Sequence, residues 1–347
     1  MIAYRAARNT DPPALVQLWN ECLAGRGAYP LRTPQTLERW VFSKPYYKNA
    51  DLILATDGTT DEGGGKLVGL ALSGFTPGDD GATLDRSRGV ICIVVVHPAF
   101  RRRGIGRELL RRAEANLRER GAETVAVGAT WPDAPYLFGL YGGSSAPGLL
   151  ESDADYAPFL AEMGYAPAEP VLVFQRPLEE QLSVADGRFG MLRRRYELQT
   201  LRAAGIANWW QECQWGVTEP VELQLTDKLT SMPAARAVVW ELEGFSWRWG
   251  RPTAGLMEVQ VRPDLRRLGI GKLLAWHALR LLQDQYFAAV ECQVPADDEA
   301  AAGLCRSLGM EQIDRGLRYV PGIAHAPADP KPGADTDDYP LLAGDDE

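Results

Sequence analysis

A long internal repeat restricts this chain more than any other feature. The segment Val94-Val-Val-His-Pro-Ala-Phe-Arg-Arg-Arg-Gly-Ile-Gly-Arg107 returns as Val259-Gln-Val-Arg-Pro-Asp-Leu-Arg-Arg-Leu-Gly-Ile-Gly-Lys272. Pro98 and Pro263, Arg101 and Arg266, Gly104 and Gly269, and Gly106 and Gly271 each stand 165 positions apart. The flanks repeat too. Each copy follows a strand-like apolar run, Val90 to Val96 and Leu256 to Val261, and precedes a helical pattern, Glu108 to Arg120 and Leu273 to Gln285. A second β-like run then follows, Thr124 to Gly128 and Ala288 to Val294. A period this long marks a duplicated domain, not a solenoid, and 347 residues fit two domains.

Around each repeat, strands precede a central strand–helix–strand crossover, which makes the fold class α+β. The first half opens with a strand at Tyr4 to Ala7 and a helix at Pro12 to Leu23, with Asp11 as its N-cap. Strands at Leu52 to Thr56 and Leu67 to Gly74 flank a turn-rich DGTTDEGGGK. The second half opens at Tyr196 to Leu201, has a short helix ending near Cys213, and continues with strands at Val221 to Leu225 and Ala235 to Glu243. The expected organisation is one domain over 1–176, a polar linker through 188, a second domain over 189–323, and a disordered acidic tail over 324–347.

Charge and composition remove several function classes. Seven acids and one base (Lys331) follow Ala324, a tail of −6 on a chain of −9, so the body is nearly neutral. A nucleic-acid binder is expected to be basic over its folded part, and Arg193-Arg-Arg195 alone reads as a solvated strand end. No apolar run approaches a membrane span, and MIAYRAARNTD has no apolar stretch of the signal-peptide kind. Five dispersed cysteines without a C-x-x-C pair and only three histidines argue against a disulfide framework or a metal site. A reducing cytoplasm is the expected location.

The repeated motif has a definite physical use. Its glycines allow a tight turn and close approach of an anion. The following helix offers unpaired N–H groups and the positive end of its dipole, and the arginines add charge-assisted hydrogen bonds. The unit is a pyrophosphate cradle, present twice. It is not a dinucleotide fingerprint, because the third glycine position holds Leu109 or Leu274, and it is not a P-loop, because Lys272 is followed by Leu273.

The whole unit V-x-V-x-P-x-x-R-R-x-G-I-G resembles the GNAT (GCN5-related N-acetyltransferase) family, here in a tandem arrangement covering most of residues 1–322. The resemblance implies two mixed sheets, each split between two parallel strands that admit acyl-CoA. In the first copy Val94, Val95 and Val96 would hold the pantetheine arm, and Arg102, Arg103, Gly104, Ile105, Gly106 and Arg107 the pyrophosphate. In the second copy the matching residues are Val259, Gln260 and Val261, then Arg267, Leu268, Gly269, Ile270, Gly271 and Lys272. The implied cosubstrate is acetyl-CoA and the implied partner an amine acceptor: a small amine, an amino-acid derivative or a protein N-terminus. No metal is implied, and the oligomeric state is left open.

This chain departs from the family pattern at the general acid. The usual Tyr is Leu160 in the first copy and Cys305 in the second, and the usual Asn is Asp298. Loss of that acid keeps a non-catalytic acyl-CoA sensor as the alternative reading. For a base, Glu258 stands on the strand entering the second cradle where the first copy has Ile93, which places the chemistry in the second half. An ion pair on the outer sheet face is the structural alternative for Glu258, and the same holds for Glu291 on the next strand. His97 reads as a strand-end residue, and Cys305 as either a weak acid or a small buried hydrophobe. Trp240, Trp247 and Trp249 suit either an aromatic acceptor site or an inter-domain contact. The insertion from Pro132 to Ser152 suits either a mobile lid or a surface excursion.

Overall fold

The computed structural model describes residues 1–58, 65–179, 187–202, 208–216 and 218–322. The turn at 59–64, most of the linker and the tail at 324–347 lie outside the described residues. The first half comprises β1 (Ile2–Ala6), α1 (Pro12–Cys22), α2 (Pro34–Leu37), β2 (Leu52–Asp57), β3 (Lys66–Pro77), β4 (Leu84–Val96), α3 (Ile105–Glu119), β5 (Thr124–Val127), β6 (Leu149–Leu150), α4 (Tyr156–Glu162) and β7 (Tyr165–Pro177). The second comprises α5 (Phe189–Arg195), β8 (Tyr196–Arg202), α6 (Trp209–Trp215), β9 (Val221–Asp227), β10 (Pro233–Glu241), α7 (Glu243–Trp249), β11 (Thr253–Val261), α8 (Ile270–Asp284), β12 (Ala289–Pro295), α9 (Glu299–Ser307) and β13 (Glu311–Pro321).

These strands form one continuous sheet in the order β1-β2-β3-β4-β5-β13-β7-β12-β11-β10-β9-β8, with β6 added beside β13. The last strand of each half completes the sheet of the other. β7 pairs with β12 over Val171–Pro177, and β13 lies between β5 and β7. A cut at 176 therefore divides the chain while the sheet runs on across it. Exchanging terminal strands leaves neither half with an open inner edge.

Local sequence explains the helices that matter. In α3 the apolar Leu109, Leu110, Ala113 and Leu117 are buried on one face, and arginines and glutamates cover the other. α8 buries Ile270, Leu273, Leu274, Ala278 and Leu282 in the core of the second half. Asp11 stands before α1 as expected but does not cap it. Its carboxylate accepts from the Arg8 N–H at 2.6 Å and pairs with Arg5 at 2.7 Å. Arg193–Arg195 end a helix rather than a strand. Among the described residues, no helix is long and apolar enough to cross a membrane.

The insertion behaves neither as a lid nor as a surface excursion. Residues 134–150 are buried without a break, wedged between the halves. Phe138 stacks on Trp240 with centroids 5.2 Å apart and meets Trp215 edge-on at 4.9 Å. The Tyr136 hydroxyl donates to Asp51 at 2.8 Å. Large aromatic side chains carry more area than a surface loop can leave in water, so the segment folds inward.

Trp247 and Trp249 fall in helix α7, not a loop, and the tryptophans join the halves. Trp210 Nε1 donates to the Pro132 carbonyl at 2.7 Å, Trp240 Nε1 to Ser144 at 3.1 Å, and Trp249 Nε1 to Arg26 at 2.9 Å.

Candidate functional site

The two splits begin at equivalent residues. Parallel pairing of β4 with β5 ends at Ile91↔Val127, and that of β11 with β12 ends at Leu256↔Cys292, 165 positions on in both strands. Beyond these pairs the strands diverge toward the cradles. Gly104 (φ +79°) and Gly269 (φ +89°) adopt the left-handed conformation as N-caps of α3 and α8. Arg101 Nε donates to the Val96 carbonyl at 3.1 Å and Arg266 Nε to Val261 at 3.2 Å, so these arginines tie each loop to its strand. Arg102 and Arg267 share left-handed backbones, and Arg102, Arg103, Arg107, Arg267 and Leu268 are exposed at the cradle mouths.

The copies differ in what lies between the strands. In the first, Val94 and Val95 are buried with Leu160 in the core, while Val96, Tyr156, Phe159 and Met163 pack against it. The Phe159 ring stands 3.4 Å from where a Cβ on Gly106 would be. Ile105 is buried beneath. His97 caps a turn through Nδ1, accepting from the Ala99 N–H at 3.2 Å, and its Nε2 lies 3.1 Å from Glu21.

In the second copy a cavity of about 920 Å³ runs from the loop at Gly269, Gly271 and Lys272 along Val259, Gln260 and Val261 to Cys292 and Cys305. A Cβ on Gly271 would come within 3.2 Å of Val261 Cγ2, so the glycine keeps this passage open. Leu256 and Cys292 belong to the core under α8, whereas Met257 belongs to the aromatic cluster on the opposite face. Since Met257 and Gln293 also line the cavity, it passes through the sheet from one face to the other. Such a passage lets two reactants meet from opposite sides.

Glu258 lies in this passage. The register between β10 and β11 slips from Arg236↔Gln260 to Val238↔Met257, a bulge that gives Glu258 a φ of +51°. Its carboxylate accepts from Arg236 at 2.7 Å, and Arg236 also reaches Gln260 at 3.0 Å and Glu222 at 3.6 Å. Burial raises the Glu258 carboxyl above the usual range; Arg236 pulls it down, and Glu222 pushes it up. Both alternatives meet here, for the residue is ion-paired and also faces the cavity. The sequence alone did not mark Arg236, Gln293 or Met257, because only strand register brings them to Glu258.

Glu291 has a structural task. It is fully buried, pairs with Arg26 at 2.6 Å, and accepts from the Ser144 N–H at 2.8 Å. Asp298 caps α9 by accepting from the Ala301 N–H at 2.8 Å. Removing Arg26 would leave Glu291 charged and buried with neutral donors alone. Arg26→Ala should therefore cost about 2–3 kcal/mol, measured as a lower urea midpoint with an unchanged slope. An unshifted midpoint would make the pair energetically idle.

The sequence model described as "Acetyltransferase (GNAT) family" matches residues 14–141 and 204–310. A mycothiol acetyltransferase of Saccharomonospora viridis is 27% identical over 247 residues, covering 66% of this chain and 73% of that protein. One of Paenarthrobacter aurescens is 38% identical over 88 residues, which span 23% of this chain and only 27% of the relative. Among solved structures, a GCN5-related glucosamine N-acetyltransferase region of a fungal multi-domain enzyme superposes with a TM-score of 0.68 at 15% identity. It covers 92% of this chain and 38% of that one. A tandem GNAT protein from the clavulanic acid biosynthesis pathway superposes at 0.55 and 17% identity, covering 92% and 98%.

Proposed function

Because the chain belongs to the acetyltransferase (GNAT) family, we propose that it moves an acetyl group from acetyl-CoA to a primary amine, with the chemistry in the second half. The observation that carries this reading is the passage through the second split, against the packed side chains at the first. Val259, Gln260 and Val261 would hold the pantetheine arm, and Arg267 to Lys272 the pyrophosphate at the start of α8. The thioester supplies an activated acetyl carbon and a good leaving group. Glu258, on the face where Arg236 and Met257 lie, would take the proton that the amine loses. Its left-handed backbone is a strain that this placement would explain.

The first half, in this reading, builds the acceptor side. Its insertion brings Gly142 and Ser144 to Gln293 and Glu291. We place the reaction in the cytoplasm, where acyl-CoA is made and the five free cysteines persist.

Titration calorimetry should give close to one acetyl-CoA per chain, and a panel of amines should release free CoA thiol from the same sample. A stoichiometry near two would assign a working cradle to the first half. Binding without turnover on any amine or acyl chain would turn the reading into that of a sensor.

A further inference from the structure

Helix α5 lies against the loop that begins α8. Phe189 is buried in the core of the second half and meets the Trp276 ring of α8 edge-on, with centroids 6.1 Å apart. The Arg193 guanidinium stands 4.1 Å over the same ring. Toward the loop, a Cβ on Gly269 would meet Leu192 Cδ1 at 3.5 Å and Arg188 Cζ at 4.0 Å. The exposed Arg188 thus puts its guanidinium beside the N-cap of α8, whose first N–H groups have no partner within the helix. The first half has no counterpart: among the described residues, nothing stands within 4 Å of where a Cβ on Gly104 would be. Charge around the second loop is uneven. Arg195 is turned to Asp227 at 2.8 Å and Arg193 to Trp276, while Arg188 faces Gly269. Arg267, in contrast, shares a hollow of about 590 Å³ with Asp297, Asp298 and Glu299. Those acids repel a phosphate, and the arginine beside Gly269 attracts one.

We infer that Arg188 is a phosphate-binding residue of the second site, donating from its guanidinium to a phosphate of acyl-CoA held at the start of α8. The inference rests on the proposed acyl-CoA reading and extends it to a residue outside the repeated motif. A guanidinium meets phosphate oxygens through a planar fork of N–H donors, which suits a ligand that must be held in one orientation. Packing delivers this arginine, because Phe189 and Leu192 on the same short helix are seated against α8. Acyl-CoA carries phosphate in two places, the pyrophosphate and the 3′-phosphate on its ribose. Both offer Arg188 the same chemistry.

Calorimetry on the full-length protein with acetyl-CoA and with 3′-dephospho-acetyl-CoA tests the inference and separates the two phosphates. Arg188→Gln should weaken acetyl-CoA binding by roughly tenfold, the worth of one charge-assisted hydrogen bond, with an unchanged thermal midpoint. Arg188→Lys should recover part of that loss. The KM for acetyl-CoA should rise while kcat stays near the wild-type value. The same loss with the dephospho analogue would support the inference and name the pyrophosphate as partner. A loss confined to acetyl-CoA would support it and name the 3′-phosphate. Arg280→Gln removes an equal charge further along α8, where Arg280 pairs with Asp284 at 3.6 Å, and should leave both affinities within about twofold. Wild-type affinity for both ligands in Arg188→Gln would overturn the inference while leaving the proposed function standing. An equal loss in Arg280→Gln would reduce the effect to net charge and overturn it too, as would a loss that follows a lowered thermal midpoint and is not relieved by lysine. Wild-type protein that binds neither ligand would overturn the acyl-CoA reading itself.

Discussion

Gly271→Glu is expected to weaken acetyl-CoA binding by roughly 10²–10⁴-fold and to abolish turnover in proportion. Gly271 occupies the first turn of α8, where backbone N–H groups have no partner within the helix. A side chain there meets Val261 Cγ2 at 3.2 Å from its Cβ, so it must turn into the passage or displace the strand. Its carboxylate would occupy the anion position and repel the pyrophosphate. Losing two charge-assisted hydrogen bonds at about 1.5–3 kcal/mol each gives the stated range. Calorimetry measures it directly, with a thermal melt confirming a folded variant. A charge reversal in the first copy, Arg102→Glu, should leave affinity within about twofold, because Arg102 is exposed above a packed interior. Equal losses from both substitutions would defeat the assignment of binding to the second half.

For Glu258→Gln the expected result is a fall of roughly 10²–10⁴ in kcat/KM, with acetyl-CoA affinity little changed. The sign of its pH dependence follows from the raised carboxyl. A carboxyl shifted upward by burial stays protonated to higher pH than in the unfolded chain, so wild-type activity should drop on the acidic side as that proton returns. The variant should lose that acidic limb. Stability gives the second readout. A group whose folded value is raised supports folding fully below its unfolded value, and that support is lost as pH rises through the folded value. At neutral pH the ionised carboxylate is therefore a net cost, and Glu258→Gln should not unfold the protein while Arg236 retains Glu222. A variant with normal turnover per folded molecule but a lowered denaturation midpoint would make Glu258 a structural ion pair only.

Much of the architecture could be read from local pattern, for reasons that particular residues illustrate. The two glycine turns at Gly104 and Gly269 were legible because only a residue without Cβ takes that backbone freely. Helices α3 and α8 were legible from their apolar spacing, although both begin three residues earlier than the pattern alone indicated, at the N-cap glycines. The insertion was misread because glycine and polar turn residues dominate its local signal. Its burial depends on Trp215 and Trp240, which are distant in sequence.

The sequence by itself determined the duplication, the strand–helix–strand unit in each half and the glycine turn before each central helix, because each depends on contacts within a few tens of residues. Tertiary structure set the cavity at the second split, with Leu304 in its wall, and laid the Phe159 ring against Gly106 in the first half. It also decided that β7 and β13 change places between the halves, because backbone hydrogen bonds between strands carry no side-chain label that names the partner. And it brought Arg26 to Glu291 and Arg236 to Glu258. Those meetings depend on register and sheet order, which long-range packing sets.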